Sequence, residues 1–124
     1  MNNNDIKVKE IKENLKKKTK EREKKLNEMR IDMWKKVKNA STRAKNKFKI
    51  ENIYIVGSLA EGNIRENSDV DIAVKFKEDF NYSDYIEVFR FFENVLRPYK
   101  IDLIDLDEVN NKSLDIIKKE GIKI

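Results

Sequence analysis

The sequence predicts an α/β fold, a small mixed β-sheet with flanking helices, preceded by a long basic N-terminal helix. Three observations carry this reading. Residues 1–56 hold neither Pro nor Gly and repeat apolar side chains at helical spacing. Three later runs, IENIYIV at 50–56, VDIAVKF at 70–76 and IDLIDL at 101–106, are short and rich in Ile, Val and Leu, as strands are. Between the second and third runs lies a segment with its own helix-start and helix-stop signals.

Met1 to Asp5 is polar and expected to fray. From about Ile6 a stripe runs through Ile11, Leu15, Thr19, Arg22, Leu26, Met29, Met33, Val37, Ala40 and Ala44, at steps of three or four. It is thin through Lys16–Lys25 and strengthens from Leu26, which predicts one long helix with Asn39-Ala40-Ser41-Thr42 as a candidate break. The first strand ends at Gly57, and Gly57 to Ser68 reads as a polar connection. In the second strand the twofold period sets Asp71, Ala73 and Lys75 on one face and Val70, Ile72 and Val74 on the other. Asn81-Tyr82-Ser83-Asp84 starts a helix, and Pro98 stops it. That helix has two apolar rows, Tyr85-Phe89-Phe92-Leu96 and Val88-Phe91-Val95, so it is either sandwiched or half of an interface. Ser113 to Glu120 reads as a short helix ended by Gly121.

At 124 residues the chain suits one modest domain. Its charge is uneven: residues 1–50 hold 18 Lys/Arg against 7 Asp/Glu, and the remainder 10 against 16. There is no cysteine and no histidine. Disulfides, thiolate metal sites and the commonest general base are therefore excluded, and catalysis falls to carboxylates, lysines or a hard metal bound through oxygen. No apolar run approaches the roughly 18 residues of a membrane span, and the first residues lack a signal-peptide pattern. The expectation is a cytoplasmic protein with no membrane partner.

Gly57-Ser58 at a strand end lets backbone approach a ligand closely and offers amides and a hydroxyl to phosphate oxygens, although the dipeptide alone is a common turn. Asp69 and Asp71 flank Val70 at the mouth of a strand, so period two puts both carboxylates on one face. Like charges that close are unfavourable unless water or a cation lies between them, and oxygen-only ligands suit Mg²⁺. An Asp-x-Asp alone is more often a solvated strand edge.

Together these features are specific. The run GSLAEGNIRENSDVDIAV resembles the signature of the minimal nucleotidyltransferases of the polymerase-beta-like superfamily, Gly-Ser-x-Ala-x-Gly followed by Ser-Asp-x-Asp. The matching positions are Gly57, Ser58, Ala60, Gly62, Ser68, Asp69 and Asp71, and the likeness spans about residues 48–106, with Glu120-Gly121 echoing the family's ending. It implies the nucleotidyltransferase fold over residues 48–124, with residues 1–47 as a basic helical extension. It further implies two Mg²⁺ ions held by Asp69, Asp71 and a third carboxylate, and ATP as donor with its phosphates on Gly57 and Ser58. Asp102 is the chosen third carboxylate over Asp105, since the family's third Asp opens an Asp-hydrophobic-hydrophobic-Asp segment; Asp107 is expected to cap the segment after it. One departure stands out: Glu61 occupies a position usually held by Arg, with Arg65 and Lys75 as nearby basic alternatives.

The resemblance implies AMP transfer to a hydroxyl of a partner protein, the chain acting as antitoxin of a helical HEPN-type toxin. The alternatives are a binding-only antitoxin with a vestigial site, or nucleotidyl transfer to a small molecule or RNA. Direct nucleic-acid contact by the basic helix is the less favoured reading, because aromatics interleaved with its lysines are nearly absent.

Overall fold

The computed structural model describes residues 3–124. The order is α1 (Asn3–Lys47), β1 (Ile50–Val56), α2 (Gly57–Glu61), β2 (Val70–Phe76), α3 (Tyr82–Val95), β3 (Ile101–Asp105), α4 (Asn111–Glu120) and β4 (Ile122–Lys123). The sheet order is β3-β2-β1-β4. β1 runs antiparallel to both β2 and β4, while β2 and β3 are parallel, joined by α3 as the crossover that parallel neighbours require. The sheet is mixed, as predicted.

α1 is unbroken over 45 residues, about 68 Å at 1.5 Å per residue. The candidate break does not form. Thr42 Oγ1 donates to Lys38 O at 3.0 Å, so the hydroxyl bonds within the helix and leaves its backbone ladder intact. The helix includes Asn3 to Asp5, within the segment where fraying was expected; Met1 and Asn2 lie outside the described residues.

The strengthening of the stripe from Leu26 has a direct structural meaning. Met33, Val37, Ala40 and Ala44 are buried and share one core with Ile53 and Ile55 of β1, Ile72 and Val74 of β2, and Val88 and Phe92 of α3. Residues 4–25 are exposed throughout, with Ile11 57% and Leu15 59% accessible against 1% for Met33. The two apolar rows of α3 are explained by a sandwich. Val88 and Phe92 face the main core, while Phe91 meets Phe48 edge-on at 5.5 Å beside the end of α1. Its start is closed by a reciprocal capping box between Asn81 and Asp84.

The opposite sheet face carries a smaller core. Tyr54, Ala73 and Leu106 are buried there under Leu114 and Ile117 of α4. Gly121 ends α4, and a Cβ on it would come within 2.5 Å of Ile117 O and 3.0 Å of Val56 Cγ1. The carbonyl of Ile117 in α4 first, and then close approach to β1, select glycine at this position. Among the described residues, no helix is long and apolar enough to cross a membrane.

The split of α1 into a buried and an exposed half is testable. Met33→Ala should cost about 2–5 kcal/mol in urea unfolding of the isolated chain. Leu15→Ala should stay within about 0.5 kcal/mol of the parent.

Candidate active site

Three neighbouring strands bring the sequence-predicted residues into one row. In the pairing of β1 with β2, Val56 stands opposite Asp71, so Gly57 leaves β1 directly beside that carboxylate. In the parallel pairing of β2 with β3, Asp71 stands opposite Asp102. Period two then sets Asp71 and Asp102 on the sheet face that carries α4. Asp105 belongs to the other face, where its carboxylate accepts the Asp107 N–H at 3.0 Å.

The row is held tightly at Gly57. Its φ is +70°, and a Cβ there would overlap Asp71 Oδ2. Both the backbone conformation and the space require glycine. The following residues fold into α2, a five-residue helix where the sequence predicted an irregular connection. A helix this short gives too few periodic positions to be legible. Val56 at its N-cap provides no side-chain hydrogen bond, so the Gly57-Ser58 end carries no side-chain cap.

Asp69 is fixed from both sides. Ser68 Oγ accepts the Arg65 N–H at 2.7 Å and Ser68 N–H donates to Arg65 O at 3.1 Å, closing a tight turn. On its other side, Val70 N–H donates to Lys100 O at 2.8 Å, pinning the head of β2 to the head of β3. Asp69 thus sits where the two parallel strands begin.

The electrostatics register the crowding. Burial pushes the Asp71 carboxyl above its ordinary range, and the negative charges of Asp102 and Asp69 push it further the same way. Tyr85 feels the same field: burial raises its phenol first, then Asp102 and Asp105, while its hydroxyl donates to Leu103 O at 2.8 Å. Among the described residues, no group of three His, Cys, Asp or Glu side chains converges into a ready-made metal cage. The donors around Asp71 are carboxylate oxygens only, the kind of ligand that hard cations such as Mg²⁺ take.

Other expectations resolve differently. Asp107 does not cap α4; it forms an ion pair with Lys75, and Asn110 accepts the Ser113 N–H at 2.8 Å as the cap. Lys75 is thereby held at the far end of β2 by Asp107, and Arg65 lines a groove with Arg22 and Leu26. Glu61 lies at the exposed end of α2 and lines a groove of about 600 Å³ with Arg30, Trp34, Lys35 and Lys38 of α1. Sequence reading missed this groove, because its two walls are 20 or more residues apart.

Comparison with known proteins agrees with this geometry. Residues 35–124 match the family of polymerase beta nucleotidyltransferases. An inferred protein adenylyltransferase of Methanocaldococcus jannaschii is 38% identical over 69 residues, which cover 54% of this chain and 68% of the relative. Two solved structures share the fold. One is an inferred minimal nucleotidyltransferase, 20% identical with a TM-score of 0.61, covering 80% of this chain and 95% of the other. The second is a toxin–antitoxin crystal structure with AMP-PNP, 23% identical with a TM-score of 0.58, covering 72% and 69%. The chain belongs to the polymerase beta nucleotidyltransferase family. It is an enzyme of the nucleotidyltransferase type.

The row makes two testable demands. Unfolded Asp71 ionises near its ordinary pKa of 3.8, whereas the folded protein holds the proton to higher pH. Its contribution to stability is thus intact below the ordinary value and lost as pH rises through the folded value. In EDTA, Asp71→Asn should be more stable than the parent at pH 7, and urea curves should show the gap closing on acidification below the ordinary carboxylate range. Gly57→Ala should cost more than about 1 kcal/mol. That cost should shrink in an Asp71→Ala background, with a coupling of about 0.5–3 kcal/mol in a double-mutant cycle.

Proposed function

We propose that this chain is a Mg²⁺-dependent adenylyltransferase that moves AMP from ATP to a hydroxyl of a partner protein, as the antitoxin of a HEPN-type toxin. The observation that carries the reading is the row formed by Gly57 just past the end of β1, Asp71 on β2 and Asp102 on β3, with Asp69 at its edge. The named activity of the M. jannaschii relative and the AMP-PNP of the toxin–antitoxin neighbour support it.

Asp69, Asp71 and Asp102 would hold two Mg²⁺ ions, which supply Lewis-acid charge at the phosphates and a template for in-line displacement. Gly57 and Ser58 contribute backbone amides and a hydroxyl that orient the β- and γ-phosphates. The acceptor hydroxyl oxygen bonds to the α-phosphorus as the bond to the bridging oxygen of pyrophosphate breaks, and Asp102 takes the hydroxyl proton. With no histidine in the chain, a carboxylate is the fitting base. Burial and neighbouring charge at Asp71 favour recruitment of a cation. A cytoplasmic location accompanies this reading.

Glu61, standing where the family usually has Arg, favours a second reading in which the chain silences its partner by occlusion alone. The test joins both. With labelled ATP, Mg²⁺ and a co-expressed HEPN-type protein, label should appear on that protein, and Asp71→Asn or Asp102→Asn should lower the rate at least about 100-fold. Label on a small molecule or RNA, and on no protein, would overturn the protein acceptor. Silencing that survives intact in Asp69→Asn/Asp71→Asn would replace catalysis with occlusion.

A further inference from the structure

The groove beside α2 changes the meaning of the basic helix. Lys12, Lys16 and Lys20 stand at four-residue steps on one face of α1, and steps of three and four continue that face through Glu23, Asn27, Arg30, Trp34 and Lys38. Glu23 is the one acidic interruption. From Lys12 to Lys38 the ridge is about 39 Å long. Its first half is fully exposed, and its second half becomes one wall of the 600 Å³ groove, opposite Ala60, Glu61 and Gly62 of α2.

The groove joins charge to an apolar floor. Arg30, Lys35 and Lys38 line it against the single carboxylate of Glu61, and Ile31, Leu59 and Ile122 line it beside Trp34. Trp34 lies among them, half-buried, with Lys38 Nζ 5.6 Å from its ring centroid. Among the described residues, the ion pairs are Lys36–Asp32, Lys49–Asp79 and Lys75–Asp107, none of them on the ridge. No ridge cation is in those pairs, and Arg30 donates instead to Asn27 Oδ1 at 3.0 Å. Lysines spaced along a straight line, leading to an aromatic ring set among cations, match a charged backbone with π-faced bases attached. An acidic peptide would satisfy the cations but leave the ring and the length without purpose. No aromatic interleaves with Lys12, Lys16 and Lys20, but Trp34 of the same helix stands in the groove where the ridge ends.

We propose that α1 carries a track for single-stranded nucleic acid, RNA or DNA, with the lysine ridge on the phosphates and Trp34 stacking on a base in the α1–α2 groove. This binding is separate from the transfer reaction and holds whatever the acceptor proves to be.

Fluorescence anisotropy of the full chain with labelled 20-nucleotide RNA and DNA of mixed sequence tests it across a salt series. The expected plot of log affinity against log salt is linear, steepening by about 0.7 per phosphate engaged. Lys12→Ala/Lys16→Ala/Lys20→Ala removes only exposed side chains, and should flatten the slope by about 2 and weaken binding at least about tenfold at low salt. Saturating oligonucleotide should quench the fluorescence of Trp34, the chain's only tryptophan. Trp34→Ala should weaken binding about 5- to 150-fold. If that variant fails to fold, the quenching and the triple-lysine variant still decide. An unchanged slope in the triple variant, or no quenching at saturation, would overturn the proposal. Polyglutamate of similar length competing as well as the oligonucleotide would also overturn it, in favour of an acidic protein segment.

Discussion

The arrangement turns on one unfavourable interaction, the placing of Asp71 beside Asp102. Parallel pairing of β2 and β3 sets the two carboxylates opposite each other, and Asp69 adds a third negative charge at the strand heads. Gly57 makes room for this carboxylate from the other side, because Asp71 Oδ2 lies in the space that a Cβ on Gly57 would fill. A fold that holds like charges together in this way gives up stability locally, and in the proposed reading a bound cation offsets that loss. The hydrophobic side chains behind β2 make the arrangement durable. Val70, Ile72 and Val74 are fully buried, and the register that fixes Asp71 cannot slip without exposing all three.

The rest of the molecule supports that register. α3 supplies the crossover that makes β2 and β3 parallel, and its position is set by α1, which presses Met33, Val37, Ala40 and Ala44 into the same core. The single helix α1 therefore has two parts with different roles. Its C-terminal half is structural, and the match to the polymerase beta nucleotidyltransferases begins within it, at residue 35. Its N-terminal half projects about 33 Å of exposed helix beyond the core, residues 4–25, and contributes charge rather than packing.

Much of this was legible in the sequence, for physical reasons. The three longer strands showed because β-branched runs ended at turn residues, and α3 because Asn81 and Asp84 form a capping box that sequence spacing foretells. Asp69, Asp71 and Asp102 could be nominated from motif order, and strand pairing then put Asp102, not Asp105, beside Asp71. What stayed hidden was short or long-range. α2 and the two-residue β4 fall below any periodic signal. The Lys75–Asp107 pair joins residues 32 apart, and the groove around Trp34 depends on how α1 crosses α2. The supposed break at Asn39–Thr42 failed because Thr42 bonds back within the helix and Ser41 is fully buried by the core.

The central claim, that Asp69, Asp71 and Asp102 make one cation-dependent nucleotide site, is tested most directly by thermal unfolding with and without Mg²⁺ and a non-hydrolysable ATP analogue. Ligand that binds only the folded state raises the midpoint with its concentration. The account predicts that Mg²⁺ with the analogue raises the midpoint of the parent protein far more than the analogue does in EDTA. It predicts that Asp71→Asn abolishes the difference. A parent protein whose midpoint is indifferent to Mg²⁺ at saturating analogue would contradict it.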